Sequence, residues 1–365
     1  MKNTFGNSIT ITLFGESHGE QIGAVLDGVP SGILVDIDYI KNQLSKRRPF
    51  GCISTGRVEK DEFSIVSGVF NGYTTGTPIC LLIPNSNTSS KDYDQLKYLP
   101  RPSHADYTAN IKYNGFQDYR GGGHFSGRIT AALVAVGAIL QRALEEKGIY
   151  VASHISLLRG IKDKSIDGLD DLVSVNCKAF PVIDDDVAVQ MQKEIENAGE
   201  QGDSVGGVLE TVVLGLPAGI GEPWFDSLES LISHAMFSIP GIKGVEFGAG
   251  FSFANGYGSQ MNDAFVLEGD QVRTKTNNNG GINGGISNGM PIVFRSVVKP
   301  TPSIYKEQQT VNLNTMQEQV LEIKGRHDPA IIHRARAVVN ALTAITIADA
   351  LAVKFGTDFL NKING

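Results

Sequence analysis

Glycine fills 42 of the 365 positions, where ~7% is usual for a globular chain. That excess constrains the fold more than any other feature. A residue without a side chain weakens helix and strand interiors, and it serves where backbone turns left-handed or lies against something close. The glycines follow no long every-third-residue pattern, which excludes a collagen-like rod. What remains is a loop-rich globular body in which glycine-dense loops bring backbone up to a ligand. Charged residues make up only 19% and hydrophobic ones 41%, so the chain has material for a large core and no tract that must stay disordered. A formal net charge of −7 argues against coating nucleic acid and still allows a local basic site.

A chain of 365 residues suits two domains or one large body. No Pro/Ser-rich linker divides it, so residues 1–365 are expected to form one unit. Cys52, Cys80 and Cys177 are an odd, widely spaced set without C-x-x-C. They do not suit a disulfide framework or a zinc site, and they fit a reducing compartment. No apolar signal region follows Met1–Phe5. The run Ala131–Leu140 is about half the ~20 residues that span a bilayer. The expected location is cytoplasmic, with no metal.

Strand patterns cover Ser8–Phe14, Ile22–Leu26, Ile65–Val69 and Ile79–Ile83. Asp36–Arg48 reads as a helix, with an acidic first turn, Ile40 and Leu44 spaced i,i+4, and Pro49 beyond its end. Asn85–Gly127 lacks hydrophobic periodicity and reads mostly as a functional loop. It leads into a helix over Ile129–Lys147, with Leu133, Val136, Leu140 and Leu144 at helical spacing. The second half echoes the first, because Val25–Ile33 resembles Val212–Ile220 as a strand, a Gly-Pro-Gly turn and a helix. The second of these helices is expected over Asp226–Phe237, with Asp226 as N-cap and Glu229 at N3.

The reactive side chains gather in four segments: Gly15–Gly19, Arg101–Asp106, Arg120–Arg128 and Gly325–Pro329. Together they carry His18, His104, His124 and His327, four of the seven histidines. Arginine beside flexible backbone suits bidentate binding of phosphate or carboxylate, and histidine can pass a proton near neutral pH. Solvated loops are the bland alternative for any single segment. Gly15-Glu16-Ser17-His18-Gly19 matches the G-x-S-x-G elbow of hydrolases in letters alone, since strand-like sequence follows where a helix is needed. Gly122–Arg128 is a near miss to the P-loop, lacking its Lys and Ser/Thr. The start of the 129–147 helix beside Arg128 still offers an anion site. Asn277–Ser287 is either a flexible turn or a close backbone approach to a flat ligand, and Lys299–Ser303 reads as a strand exit. Asp328-Pro329 has the form of an N-cap and N1 pair for a helix running toward Lys354.

These segments, in this order and spacing, resemble the chorismate synthase family over nearly the whole chain, from GESHG through SGVFNGYTTGTPI and RPSHADY to KPTPSI and GRHDP. The resemblance implies an α+β fold, a β-α-β sandwich of largely antiparallel sheets flanked by helices, with the internal pseudo-repeat, usually as a homotetramer. It implies anti 1,4-elimination of phosphate from 5-enolpyruvylshikimate-3-phosphate, the final step of the shikimate pathway toward aromatic amino acids. The family requires reduced FMN without net redox change. By similarity Arg48, Arg57, Arg101, Arg128 and Arg326 bind substrate, and Arg47 stands where some members contact nicotinamide nucleotide (NADP). His18 is implied as the acid for the departing phosphate, His104 as the partner of the anionic flavin, and Asp328 with Ser17 as the handlers of a flavin proton. FMN contacts carry over to His124, Phe125, Ser126, Pro240, Gly241, Gly284, Lys299, Pro300, Thr301, Pro302, Ser303 and Arg326. His124-Phe125-Ser126-Gly127 stands where many members have Arg-Ser-Ser-Ala. Gly51–Ser54 lacks a common arginine, and Asn340 replaces a frequent glutamate. No added Rossmann fingerprint is present, so a separate flavin reductase or chemical reductant is expected. The competing reading from another class is a non-catalytic binder of phosphorylated sugars or nucleotides.

Overall fold

The helices Thr130–Glu146 and Ile332–Phe355 are apolar on nearly every side, so each needs cover all round. Two antiparallel sheets supply it. The computed structural model describes residues 2–49, 51–54, 61–85, 97–323 and 327–361. The first sheet contains β1 (Thr4–Phe5), β2 (Thr10–Gly15), β3 (Gln21–Asp27), β4 (Ser64–Ser67) and β5 (Ile79–Pro84), in the order β1-β2-β3-β5-β4. The second contains β6 (Tyr150–Leu158), β7 (Ile161–Lys162), β8 (Gly207–Leu214), β9 (Ile242–Phe247) and β10 (Ile292–Val298), in the order β9-β10-β8-β6-β7. The helices used below are α1 (Ile37–Ser45), α2 (Thr130–Glu146), α3 (Gly168–Cys177), α4 (Asp185–Glu200), α5 (Leu228–Ser238) and α6 (Ile332–Phe355).

Helix α2 lies against α6, β3 and β5, while α6 lies against β6 and β8. The pair forms the middle layer of a β-α-β sandwich. Each strand of the first sheet buries one face at period two, as in Ile22, Ala24 and Leu26 and in Ile79, Leu81 and Ile83. The helices approach closely at Gly137, where a Cβ would sit 2.7 Å from that of Ala341. Both are long and apolar enough to cross a bilayer, yet 78% and 83% of their apolar windows are buried inside the protein. Asp349 fixes α6 to the N-terminal turn by accepting the N–H groups of Asn7, Ser8 and Ile9 at 2.9, 2.7 and 2.8 Å.

The echo in sequence is a repeat in space. Thr74 Oγ1 donates to Pro30 O and accepts from Ile33 N, and Ser287 Oγ does the same for Pro217 O and Ile220 N. Each of these residues stands five positions before the strand that pairs with the strand leading into its turn, β5 in the first half and β10 in the second. The order β2-β3-β5-β4 thus recurs as β6-β8-β10-β9. One boundary differs from expectation. Helix α5 begins at Leu228 with Ser227 as N-cap, its hydroxyl accepting from Ser230 N, so Asp226 does not cap it.

One buried charge cluster stands in the second sheet. His154 is fully enclosed, its Nδ1 3.0 Å from Asp163 Oδ2 and its Nε2 3.3 Å from Glu210 Oε1. Both ring nitrogens face carboxylates, so the doubly protonated ring satisfies all four groups. Burial pulls the His154 pKa down, but hydrogen bonds to Asp163 and Glu210 outweigh it and raise it above 6.5. Burial likewise opposes, and the His154 bonds override it in, the lowering of Asp163 below 3.8 and Glu210 below 4.5. The histidine contribution is complete below pH 6.5 and lost as pH rises through the raised pKa; the carboxylate contributions are complete above pH 4.5 and lost as pH falls through the lowered ones. The cluster's own contribution, read as the difference in urea unfolding midpoint between the parent and His154→Gln, should therefore plateau between pH 4.5 and 6.5. His154→Gln should cost about 3–5 kcal/mol on that plateau, as removal of one partner from a buried ion cluster does, and should abolish this cluster's alkaline decline. An unchanged pH profile in the variant would remove the cluster from the stability of the fold.

Candidate active site

Strands β2 and β3 are antiparallel neighbours, so Glu16–Glu20 joins a hairpin and is no hydrolase elbow. Ser17 and His18 on it are 5% and 8% exposed. They lie against the turn Gly121-Gly122-Gly123, whose φ angles are 59°, 83° and 52°. A Cβ on Gly121 would come within 2.2 Å of His18 Cε1 and 2.9 Å of Ser17 Oγ, and one on Gly122 within 3.5 Å of His104 Cε1. Bare backbone is therefore the wall shared by both imidazoles. Glycine suits it because both positions are left-handed, and at Gly121 the space excludes a side chain as well. Ser17 N donates to Gly123 O at 3.1 Å and closes the contact.

His104 Nδ1 lies 2.6 Å from Asp106 Oδ1 and 3.0 Å from Arg101 Nη2. An ionised carboxylate only accepts, and Asp106 is the nearer partner, so the imidazole N–H belongs on Nδ1, donated to Asp106, while Nε2 is presented toward the glycine wall. Arg101 grips Asp106 through Nε at 2.7 Å and Nη2 at 2.9 Å. Burial acts to raise the Asp106 pKa, but the bonds from Arg101 and then His104 hold it well below the ordinary carboxylate range. Arg101 Nη1 also reaches Ser303 Oγ at 3.4 Å.

Arg47 and Arg128 converge on the buried Asp61, Arg47 Nη1 at 3.5 Å from Oδ2 and Arg128 Nη1 bonded to Oδ1. Arg128 Nε donates to Asn85 Oδ1 at 2.9 Å, and Asn85 Nδ2 donates to the carbonyls of Glu16 and Gly19. The arginine is thereby tied to the hairpin that carries His18. Arg47 Nη2 is held by Gly127 O at 2.9 Å and Thr130 Oγ1 at 3.0 Å. Ser126 accepts from Arg128 N and caps the single turn before α2.

Asp328 is not an N-cap. Helix α6 starts at Ile332, its N-cap is Ile331 without a side-chain bond, and the Asp328 carboxylate turns instead to Arg334 Nη1 at 2.5 Å. Arg334 Nε donates to Arg47 O at 2.6 Å, and Thr301 Oγ1 donates to Asp328 O at 3.0 Å. The contacts close a circuit: His18 hairpin, glycine turn, His104, Asp106, Arg101, Ser303, Thr301, Asp328, Arg334, Arg47, Asp61, Arg128, Asn85 and back to the hairpin.

Lys299 N donates to Gly241 O at 2.9 Å and its Nζ to Ser103 O, so Gly241, the 299–303 strand exit and the His104 loop meet. Pro300 and Pro302 keep that exit extended, Pro302 O accepting from Gln308 Nε2; Pro240 is exposed beside Gly241. His124 Nδ1 donates to Gly15 O at 2.8 Å, and Phe125 meets the Tyr113 ring edge-on. Lys299 and Arg101, joined by His104 Nε2 when the ring carries both protons, lie beside a wall without side chains and form a donor set that fits a flat anionic group. A cavity of about 520 Å³ adjoins the Asp328 arc, lined by Ser303, Tyr305, His327 and Asp328 together with Glu196, Glu200 and Asp203. Those carboxylates repel a phosphate, whereas the Arg47–Arg128 arc sets two guanidinium groups against one carboxylate.

Not every expected residue joins the circuit. Arg57 and Arg326 lie outside the described residues. Arg48 lines a second cavity on the far side of α1. Gly284 forms the turn between two-residue strands packed at the start of α5, with Gly285 O accepting from Leu228 N. Conversely, Asp61, Asn85, Asp106 and Arg334 join it without having been expected. Only Asp106 had a local signal, a carboxylate two positions from His104 and five from Arg101.

A family model described as chorismate synthase matches residues 9–352. A chorismate synthase of Dehalococcoides mccartyi is 48% identical over 362 residues, 98% of each chain. One of Thermococcus gammatolerans is 45% identical over 348 residues, 95% of this chain and 96% of that one. A crystal structure of chorismate synthase superposes with a TM-score of 0.75 at 31% identity, covering 96% of this chain and 94% of that one. With its sandwich fold and its circuit of arginines and histidines, the chain belongs to the chorismate synthase family, the lyases that eliminate phosphate from 5-enolpyruvylshikimate-3-phosphate in an anti 1,4 sense to give chorismate, using reduced FMN without net redox change.

Proposed function

We propose that the elimination takes place inside the circuit, and the observation that carries this reading is its closure: His18, His104, Arg128 and Asp328 are linked through side-chain bonds, the glycine turn and the 301–303 segment. Arg47, Arg101 and Arg128 bind the phosphate and carboxylates of the substrate, with Arg48, Arg57 and Arg326 assigned to it by family likeness. Each of the three meets the substrate already oriented, because Asp61 and Asp106 fix the guanidinium planes. His18 protonates the departing phosphate, held in place by Gly121 on one side. FMN would be held by Lys299–Ser303, Gly241, Pro240 and His124–Ser126, with Gly284 assigned to it by family likeness. When bound and reduced, it supplies electron density that assists phosphate departure and recovers it afterwards. His104, as the doubly protonated ring, donates from Nε2 to the anionic side of that cofactor while Asp106 accepts from Nδ1. Asp328, oriented through Oδ2 by Arg334, takes up a proton on the cofactor side, and Ser17 relays it beside His18. Reducing equivalents come from a separate reductase or reductant. Trp224, Phe225 and Phe251, each at least 85% exposed, support assembly into the homotetramer usual for the family.

Two measurements under anaerobic conditions, with reduced FMN and phosphate release as the readout, test these assignments. His18→Ala should lower the maximal rate by roughly 10²–10⁴-fold, the worth of a positioned acid, with substrate affinity kept. Arg128→Ala should instead raise KM by roughly 10- to 150-fold, equivalent to about 1.5–3 kcal/mol for a charge-assisted contact. A His18→Ala enzyme with full maximal rate and altered affinity alone would end its role as acid; no phosphate release from the unaltered protein would favour the non-catalytic binder. Asp328→Asn addresses the proton acceptor. The asparagine can still accept from Arg334 and no helix cap is lost, but the counter-charge of a largely buried pair is removed, so stability should fall by about 1–3 kcal/mol. Turnover should drop at least about tenfold, the low side of general-base effects. Undiminished turnover in the stable variant would leave Asp328 as the partner of Arg334 only.

A further inference from the structure

We propose that the cavity bounded by α1, α3 and α6 is a second anion site, separate from the active circuit and suited to a small molecule bearing phosphate or carboxylate. It has a volume of about 500 Å³, and its charged and polar lining includes Lys46, Arg48, Lys178, Arg336, Tyr39 and Glu145. Arg334 and Arg336 are two positions apart on α6, about 200° around a helix, so Arg336 faces away from the circuit that Arg334 joins.

The charges in this cavity are not balanced. Arg336 is 0% exposed. Its Nη1 and Nη2 donate to the carbonyls of Val175 at 2.9 Å and Lys178 at 2.5 Å, both neutral acceptors at the end of α3. Its Nε has no hydrogen-bond partner, and among the described residues no carboxylate forms an ion pair with it. A buried cation without a counterion is costly, and an incoming anion removes that cost. Lys46 adds a second donor, with one of its three N–H groups on Gln43 Oε1 at 3.0 Å. Glu145, the one acidic lining residue, is engaged by Tyr39 Oη at 2.5 Å and Arg142 Nη1 at 3.3 Å. Lys178 Nζ is satisfied by Val182 O, Ile183 O and Asp185 Oδ1. Lys46 and Arg336 are thus the groups that would grip the ligand. Burial, then the charge of Arg336, pushes the Lys46 pKa down to about 8, and burial pushes Arg336 down to about 10; a bound anion would raise both.

The lowered ammonium gives a direct readout, because its free amine is acylated readily near pH 8. Arg128→Ala protein, weakened in the active circuit, is pulsed with acetic anhydride and Lys46 labelling is mapped by mass spectrometry. Inorganic phosphate and citrate are the two probes, with chloride at equal ionic strength as the control. Phosphate or citrate should slow Lys46 labelling at least tenfold, and the better protector names the head group. The protection should vanish in the Arg336→Met form of the same protein. Equal labelling with and without both anions, or protection that survives Arg336→Met, would overturn the site. Should Arg336→Met fail to fold, labelling of the parent protein with and without the anions decides alone.

Discussion

The close crossing of α2 and α6 at Gly137 and Ala341 sets the distances on which the site depends. The segment before α2 supplies Gly121–Arg128, and the first turn of α6 supplies Arg334. A side chain at Gly137 would push the helices apart, and the link from Arg334 through Arg47 and Asp61 to Arg128 would have to stretch. Asp349 extends the same control to the other half of the site. It anchors Asn7–Ile9 to α6, just before β2, and the far end of β2 leads into the hairpin with Ser17 and His18. One helix therefore fixes both the arginine arc and the acid.

Concentrating arginines in a partly dry site is unfavourable unless each has a partner. Asp61 serves Arg47 and Arg128, Asp106 serves Arg101, and Asp328 serves Arg334. These carboxylates also freeze the guanidinium planes, so an arriving anion meets donors that need no reorganisation. The same logic makes Arg336 stand out, since it is the more deeply buried cation and has carbonyls where the others have carboxylates.

The sequence was legible where residue type alone carries the physics. Glycine runs, arginine beside histidine and the apolar spacing of 129–147 marked the loop that holds the turn at 121–123, the four segments that contribute to the circuit, and helix α2. It was illegible where two distant segments choose each other. Asp61 belongs to no local pattern, and its meaning appears only when Arg47 and Arg128 arrive from α1 and α2. Asp328-Pro329 has the letters of a helix start, but Arg334 lies within reach of the carboxylate and out-competes the backbone N–H groups. The helix begins three residues later than a cap there would require. Asp226 lost its cap to Ser227 by one position, within the usual slack of such boundaries.

The two halves share one plan, and their difference explains why the chemistry lies where it does. Strands β2 and β3 correspond to β6 and β8, but Glu16–Glu20 joins the first pair, whereas the second pair is joined by residues 159–206, which include β7, α3 and α4. The short connection leaves room for His18 to meet the glycine turn. The long one covers the outer face of β6 and supplies the carbonyls around Arg336. The loops that precede the equivalent helices α2 and α6 are joined through Asp61, Arg47 and Arg334, one bringing Arg128 and the other Asp328. A duplicated scaffold thus presents two unlike loops to one space, and the repeat contributes to the site through the placement of its loop ends rather than through repeated residues.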